Sequence, residues 1–230
     1  MVENHCEEFS MRWEMSEMRL GDVELVWLKH AGFKVTGGGM VVYIDPYGAK
    51  GGEKADAILV THEHFDHCDM PSLRSLSTEQ TTIVGPAAVI AKVGTVPGKK
   101  LQVAPGQIHN IGAMKVRVVP AYNIIRTFHP KEMGGVGYEI TLAGVRIYHA
   151  GDTDHIAEME ELEGVDVALL PVSGTYVMDA KEAANAVRVI KPRIAIPMHY
   201  GEIVGSKSDA HQFKQFAEKF TQVEILEPTL

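Results

Sequence analysis

The amino-acid sequence predicts an α/β fold, on three observations. Short runs rich in Val and Ile, separated by turn chemistry, fill the first quarter of the chain; strand-like and helix-like segments alternate after that. The residues best able to bind a metal all fall just after strand-like runs, so one end of the sheets would gather them.

Taken in order, residues 23–28, 33–36 and 40–44 read as short strands, the last two separated by Gly37-Gly38-Gly39, and residues 57–60 supply the next. Residues 71–76 and 86–93 read as helices. Strands follow at 114–119, 138–142 and 145–148. Strands at 165–170 and 193–196 enclose a helix over 180–190 with Asp179 as its cap. The last helix spans 209–220, with Phe213, Phe216 and Phe220 on one stripe. Residues 1–20, rich in Met and Glu, read as an N-terminal extension. With no repeat, low-complexity tract or linker, residues 21–230 form one expected domain.

Composition sets bounds on function. At 230 residues and 45% hydrophobic content the chain can bury a substantial core. It contains no apolar run long enough to cross a bilayer, and its polar N-terminus lacks the apolar centre of a signal peptide. Cys6 and Cys68 make no disulfide framework, which gives a cytoplasmic expectation. A net charge of -8 argues against a nucleic-acid surface but leaves room for a small phosphorylated substrate, which Arg126, Lys131 or Lys207 would meet from loops.

The chemistry concentrates in Thr61-His62-Glu63-His64-Phe65-Asp66-His67, an H-x-H-x-D-H run directly after a strand. Neutral imidazole and carboxylate are ligands for zinc and its first-row neighbours, whereas a core seldom holds so many titratable groups without a cation. The plainer alternative is a solvated loop. Alternate side chains share a face, so His62 and His64 would address one metal while Asp66 and His67 turn toward a second. Neither set is complete alone, and two later strand ends offer partners. Asp152, in Gly151-Asp152-Thr153, could bridge two cations or cap a helix; His199, in Met198-His199-Tyr200, could ligate or simply end a strand.

These motifs, with Asp45 in Ile44-Asp45-Pro46, resemble the metallo-β-lactamase superfamily in order and spacing from about residue 23 to the C-terminus. Within it the chain looks most like the compact branch that includes ascorbate-6-phosphate lactonase and, more distantly, N-acyl phosphatidylethanolamine phospholipase D. The resemblance implies a four-layer αβ/βα sandwich of two mixed β-sheets flanked by helices. It also implies a binuclear site: His62 and His64 on the first metal, Asp66, His67 and His199 on the second, Asp152 bridging, and Asp45 orienting a ligating imidazole.

One position departs from that pattern. Asn123 stands where the family usually places a third His for the first metal, and an amide oxygen is a poor zinc ligand. His129, a short loop further on, is the candidate to supply the bond or to touch substrate. His30 is expected at the rim of the substrate pocket or in a hairpin, with Ser173, Thr175 and Tyr176 offering hydrogen bonds to substrate. Cys68 is left as a minor candidate and His149 as structural.

The implied chemistry is hydrolysis by a metal-bound hydroxide of a small lactone, ester or phosphodiester, with Asp66 and Asp152 as catalytic carboxylates and one or two ions of zinc, manganese or iron. A nuclease-type phosphodiesterase and a metal-binding relative without catalysis are the alternatives. His64 argues against the di-iron electron-transfer relatives, which resemble H-x-E-x-D.

Overall fold

A computed structural model describes residues 16–230. Its core is two seven-stranded sheets, each half antiparallel and half parallel. In the first, β1 (Glu17–Leu20), β2 (Val23–Lys29), β3 (Gly32–Gly37) and β4 (Met40–Ile44) form an antiparallel meander, and β5 (Ala57–Leu59), β6 (Thr82–Gly85) and β7 (Lys99–Gln102) extend it in parallel. The second repeats the plan. There β8 (Ile108–Ile111), β9 (Met114–Pro120), β10 (Val136–Leu142) and β11 (Val145–His149) are antiparallel, and β12 (Val167–Pro171), β13 (Ile194–Met198) and β14 (Gln222–Val223) are parallel. Helices α1 (Met70–Leu76) and α2 (Ala87–Lys92) accompany the first sheet; α3 (Ala180–Ile190) and α4 (Lys207–Ala217) accompany the second.

Period-two alternation explains the layers. In β4, Val42 and Ile44 enter the core between the sheets while Tyr43 faces α1 and α2; in β5, Ala57 and Leu59 face inward and Ile58 outward. Opposite them stand Val116, Val118, Tyr138, Ile140 and Ile147 of the second sheet. Each such fully buried aliphatic or aromatic side chain stabilises by about 1.5–3 kcal/mol. The Tyr138 hydroxyl crosses between the sheets and donates to the Val60 carbonyl at 2.8 Å. Asp179 caps α3, accepting from the amides of Lys181 and Glu182 while Glu182 returns the bond, which halts fraying at that end.

Three expectations change. Residues 17–20, assigned to the extension, form edge strand β1, paired from Glu17 to Val26 through Leu20 to Val23; residues 1–15 of that expected extension lie outside the described part. Four further strands, β6, β7, β8 and β14, join the expected set. Helix α4 spans Lys207–Ala217, so Phe220 falls outside it; Phe213 is buried, Phe216 is inside the helix but on its exposed side, and Phe220 is exposed.

The parallel halves position the site. Asp45 follows β4, the histidine run follows β5, Asp152 follows β11, Ser173 follows β12 and His199 follows β13. Chain crossing between sheets brings these ends together at one edge of the sandwich, the general place for sites in sheets with parallel strands.

Candidate metal centre

The loop after β5 turns tightly, with the amides of His67 and Cys68 both donating to the His64 carbonyl at 3.1 and 2.7 Å. That turn faces the imidazoles of His62, His64 and His67 into one space. His62 Nε2 and His64 Nδ1 are 3.1 Å apart, and His129 Nε2 stands 3.2 Å from His64 Nδ1. Asp152 lies between two groups of imidazoles: its Oδ2 is 3.1 Å from His199 Nε2 and 3.4 Å from His129 Nε2, and its Oδ1 is 3.3 Å from His67 Nε2. Asp66 Oδ2 is 3.8 Å from His67 Nε2 on the far side.

Three overlapping sets therefore have ligand-capable atoms within 4.8 Å of one another: His62 with His64 and His129; His62 with His67 and Asp152; and His30 with Asp66, His67 and His199. The donor chemistry fits a divalent cation, and an independent observation supports the fit. His67 Nε2, His199 Nε2 and Asp152 Oδ1 are buried without a hydrogen-bond partner among the described residues. Their contacts are ion-pair approaches to one another, His67 to Asp152 at 3.3 Å and His199 to Asp152 at 3.1 Å, and a cation is what would satisfy all three atoms at once.

Electrostatics sharpen this. Burial pushes His62 well below the ordinary imidazole range, leaving it neutral and able to ligate. Burial acts on His67 in the same direction, but the carboxylates of Asp152 and Asp45 outweigh it and raise its pKa well above 6.5. Asp152 is buried too, yet His199 and His67 hold it well below 3.8. Burial would raise Asp66, but the bond from His30 and the nearby His67 bring it down to about 2. The cluster is thus two carboxylates fixed as anions among imidazoles.

A second ring of side chains holds the first. Asp45 accepts from the Thr61 amide at 2.8 Å, the Thr61 hydroxyl at 2.6 Å and His67 Nδ1 at 2.8 Å, fixing the tautomer that leaves Nε2 free. Thr61 Oγ1, having given its proton to Asp45, stands 3.0 Å from His62 Nδ1 as an acceptor. Ser173 Oγ lies 3.2 Å from His199 Nδ1. Three residues at this edge, His30, Asp45 and His199, have φ of 52°, 44° and 60°, a left-handed conformation costly for side-chain-bearing residues. Hydrogen bonds on the His30 carbonyl hold two of them: the His199 amide donates to it at 2.9 Å, and the Trp27 indole donates to the same oxygen at 3.1 Å.

Asn123 does not face the metal cluster. Its Oδ1 accepts from the His129 amide at 2.9 Å and lies 3.2 Å from His129 Nδ1, while its Nδ2 donates to Asp154 Oδ1 and to the Tyr176 carbonyl, both at 3.1 Å. Both ends of the amide are engaged, so neither is free to ligate. Its effect is to fold the loop 123–129 back so that His129 reaches His64 and Asp152. Asp154 anchors this loop further, accepting from the amides of Ile124 and Ile125 and from Arg126.

His30, expected at the pocket rim, is fully buried. Burial lowers its pKa to about 4, so at neutral pH its Nε2–H donates to Asp66 Oδ2 at 3.1 Å, while its ring lies over His199 at 3.9 Å. It meets the Asp66 carboxylate from the buried side of the cluster. In the 173–176 loop, Ser173 points to His199, Tyr176 packs edge-to-face on Phe128 at 4.6 Å, and Thr175 is exposed. Arg126 is held by Asp154, Glu182 and the Gly174 carbonyl, Lys131 by Glu158, and Lys207 by Glu227. Cys68 is buried among Leu73, Val89 and their neighbours, and burial raises its thiol to about 11. His149 joins Ala31 and Gly151 by its two ring nitrogens and is structural.

Sequence reading passed over Thr61 and Asp154. Both adjoin the motifs, one immediately before His62 and the other two residues after Asp152, and that adjacency was the available signal.

Comparison with known proteins gives a consistent result. The model of a beta-lactamase superfamily domain matches residues 24–199. The chain is similar to a UPF0173 protein of Pyrococcus furiosus, 36% identical over 203 residues that cover 86% of this chain and 91% of the relative. It is also similar to a UPF0173 metal-dependent hydrolase of Methanopyrus kandleri, 35% identical over 227 residues, 90% of this chain and 97% of that one. Among solved structures, a crystal structure from Parabacteroides distasonis superposes with a TM-score of 0.80 at 32% identity, covering 90% and 94% of the two chains. Igni18, a metallo hydrolase from Ignicoccus hospitalis, superposes at 0.76 with 25% identity, covering 90% and 95%.

Proposed function

The chain belongs to the UPF0173 metal-dependent hydrolases of the beta-lactamase superfamily, and from that premise we propose that it is a binuclear enzyme hydrolysing a small lactone, ester or phosphodiester. One observation carries the reading: the single carboxylate of Asp152 lies within 3.4 Å of imidazoles from both sides of the cluster.

In this reading His62, His64 and His129 would hold one cation and Asp66, His67 and His199 the other, with Asp152 available to either. His129 takes the place that Asn123 leaves open. Zinc suits a set of five imidazoles and two carboxylates best, with manganese or iron as the harder alternatives. Bound there, divalent ions supply a water acidified toward neutrality and a Lewis acid for the scissile bond.

The protein's own groups do the rest. Asp66, kept ionised by His30, orients the attacking water through an oxygen lone pair. Asp45 and Thr61 hold His67 and His62 in the tautomers that leave their inward nitrogens free. The partly exposed side chains of His64 and Asp66 mark where substrate enters, since the other members of the cluster are buried. No helix of the described residues is long and apolar enough to cross a membrane, in keeping with a small diffusible substrate; a cytoplasmic location is proposed on cysteine usage alone.

Asp66→Ala and Asp152→Ala test the proposal. Each is expected to lose turnover of generic lactone, ester and phosphodiester substrates in metal-loaded protein while keeping the circular-dichroism spectrum of the parent. Normal turnover by either variant would overturn the assignment.

A further inference from the structure

The two loops that deliver the cluster's imidazoles carry exposed apolar side chains beside the residues that reach the site. Phe65, between His64 and Asp66 in the motif loop, is 63% exposed; Ile124 and Ile125, next to Asn123, are 62% and 77% exposed; and Phe128, next to His129, is 49% exposed. Large apolar side chains scattered singly need no explanation, but these four are carried by the two loops that deliver the cluster's imidazoles. Partners broaden the rim on both sides. Tyr47 meets Phe65 edge-to-face at 6.1 Å, and Tyr176 meets Phe128 at 4.6 Å.

Arg126 and Lys131, on and beside the second loop, are already paired: Arg126 is shared between Asp154 and Glu182, and Lys131 pairs with Glu158. Lys92 keeps its charge, donating to the neutral Glu63 carbonyl at 2.6 Å on the residue that also carries a carboxylate. A phosphate or sulfate outside the metal centre would thus meet Lys92 in the company of Glu63, whereas an alkyl or aryl group would find a surface to cover.

Resting on the hydrolase reading above, we propose that the substrate carries an apolar acyl or aryl group that lies across this rim, joined through a neutral carboxylic ester, thioester or lactone bond at the cluster. The reaction balances with water alone. The water oxygen bonds the acyl carbon, the acyl C–O or C–S bond breaks, and a proton ends on the leaving alcohol or thiol.

The test is kcat/KM of the metal-loaded protein on p-nitrophenyl acetate, butyrate, hexanoate and octanoate, beside bis-p-nitrophenyl phosphate. The expected result is a rise of about twofold for each added methylene, half of what full burial would give, with the phosphodiester slower than every ester. Phe65→Ser and Ile125→Ser are then expected to lower the octanoate-to-acetate ratio at least fivefold. Ester turnover that is flat in chain length, or phosphodiester turnover exceeding it, would overturn the substrate class and leave the hydrolase reading standing. Silence on every substrate would remove the hydrolase reading and this inference with it. If the rim is instead an interface between copies, the serine variants will dissociate an oligomer in analytical ultracentrifugation without altering the chain-length ratio, and the inference fails.

Discussion

Removing the Asn123 side chain separates the two halves of the proposed centre. Asn123→Ala deletes four contacts, three buried and one partly buried: two to His129, one to the Asp154 carboxylate and one to the Tyr176 carbonyl. Neutral hydrogen bonds contribute about 0.5–1.5 kcal/mol each and those to a charged group about 1.5–3. Water will reach part of the loop, since Ile124, Ile125 and Phe128 are exposed, so the net loss expected is about 3 kcal/mol. For a chain of this size that corresponds to a fall in Tm of roughly 6–12 °C. The Asn123 amide still donates to the His129 carbonyl at 2.7 Å, so the loop loosens without losing its path.

The metal-binding effect is more specific than the stability effect. Losing the partner of a ligating imidazole costs about 10–100-fold in affinity, and only the side served by His129 should feel it. His67 and His199 keep Asp45 and Ser173. Calorimetric titration of zinc into metal-free protein should therefore show one equivalent bound as in the parent and a second weakened by that factor. Two equivalents bound with parental affinity, or both weakened alike, would refute the role given to Asn123 and His129.

Three further outcomes are expected. Thr61→Val leaves Asp45 and His62 Nδ1 each short of a partner in a buried setting; stability should fall by about 1–3 kcal/mol, read by denaturant melts, and no change would remove Thr61 from the support of the site. Gly151→Ala places a Cβ 2.7 Å from the Val136 carbonyl at a φ of +65° just before Asp152, so it should destabilise by more than about 1 kcal/mol and impair metal binding; a neutral substitution would show the Asp152 loop to be tolerant. The raised pKa of His67 means that the metal-free protein carries a proton there at neutral pH, which a bound cation must expel. Metal affinity should thus rise with pH up to that pKa and level off above it, and calorimetry in buffers of different ionisation enthalpy should detect the released proton; no release would contradict the shift.

The centre of the molecule was legible because its signals are local. The β5 strand and its histidine run declare themselves within eleven residues, and Gly151-Asp152 and Met198-His199 each follow the buried end of a strand. What escaped has a common cause. Strands β1, β7, β8 and β14 are the edges of the two sheets, and edge strands are short and carry polar or charged residues, as in Lys99-Lys100-Leu101-Gln102, so their hydrophobic alternation is weak. Strand β6 is interior but only four residues long. The phenylalanine stripe of the last helix failed at both later positions: Phe216 lies inside α4 on its exposed side, and α4 ends at Ala217, before Phe220.

In the site, residue type was readable and direction was not. Asn123 stood at a ligand position in sequence, yet its amide serves His129, a fact that depends on how seven residues loop back. His30 looked like a rim residue because it ends a strand in a turn. Only the packing of β13 beside it, with His199 against its ring, buries it under Asp66.

Anomalous diffraction from crystals grown with zinc or manganese tests the binuclear centre most directly. Two adjacent peaks are expected, one among His62, His64 and His129 and the other among Asp66, His67 and His199, with Asp152 reaching both. A single peak, or peaks away from these side chains, would contradict the centre proposed for this chain.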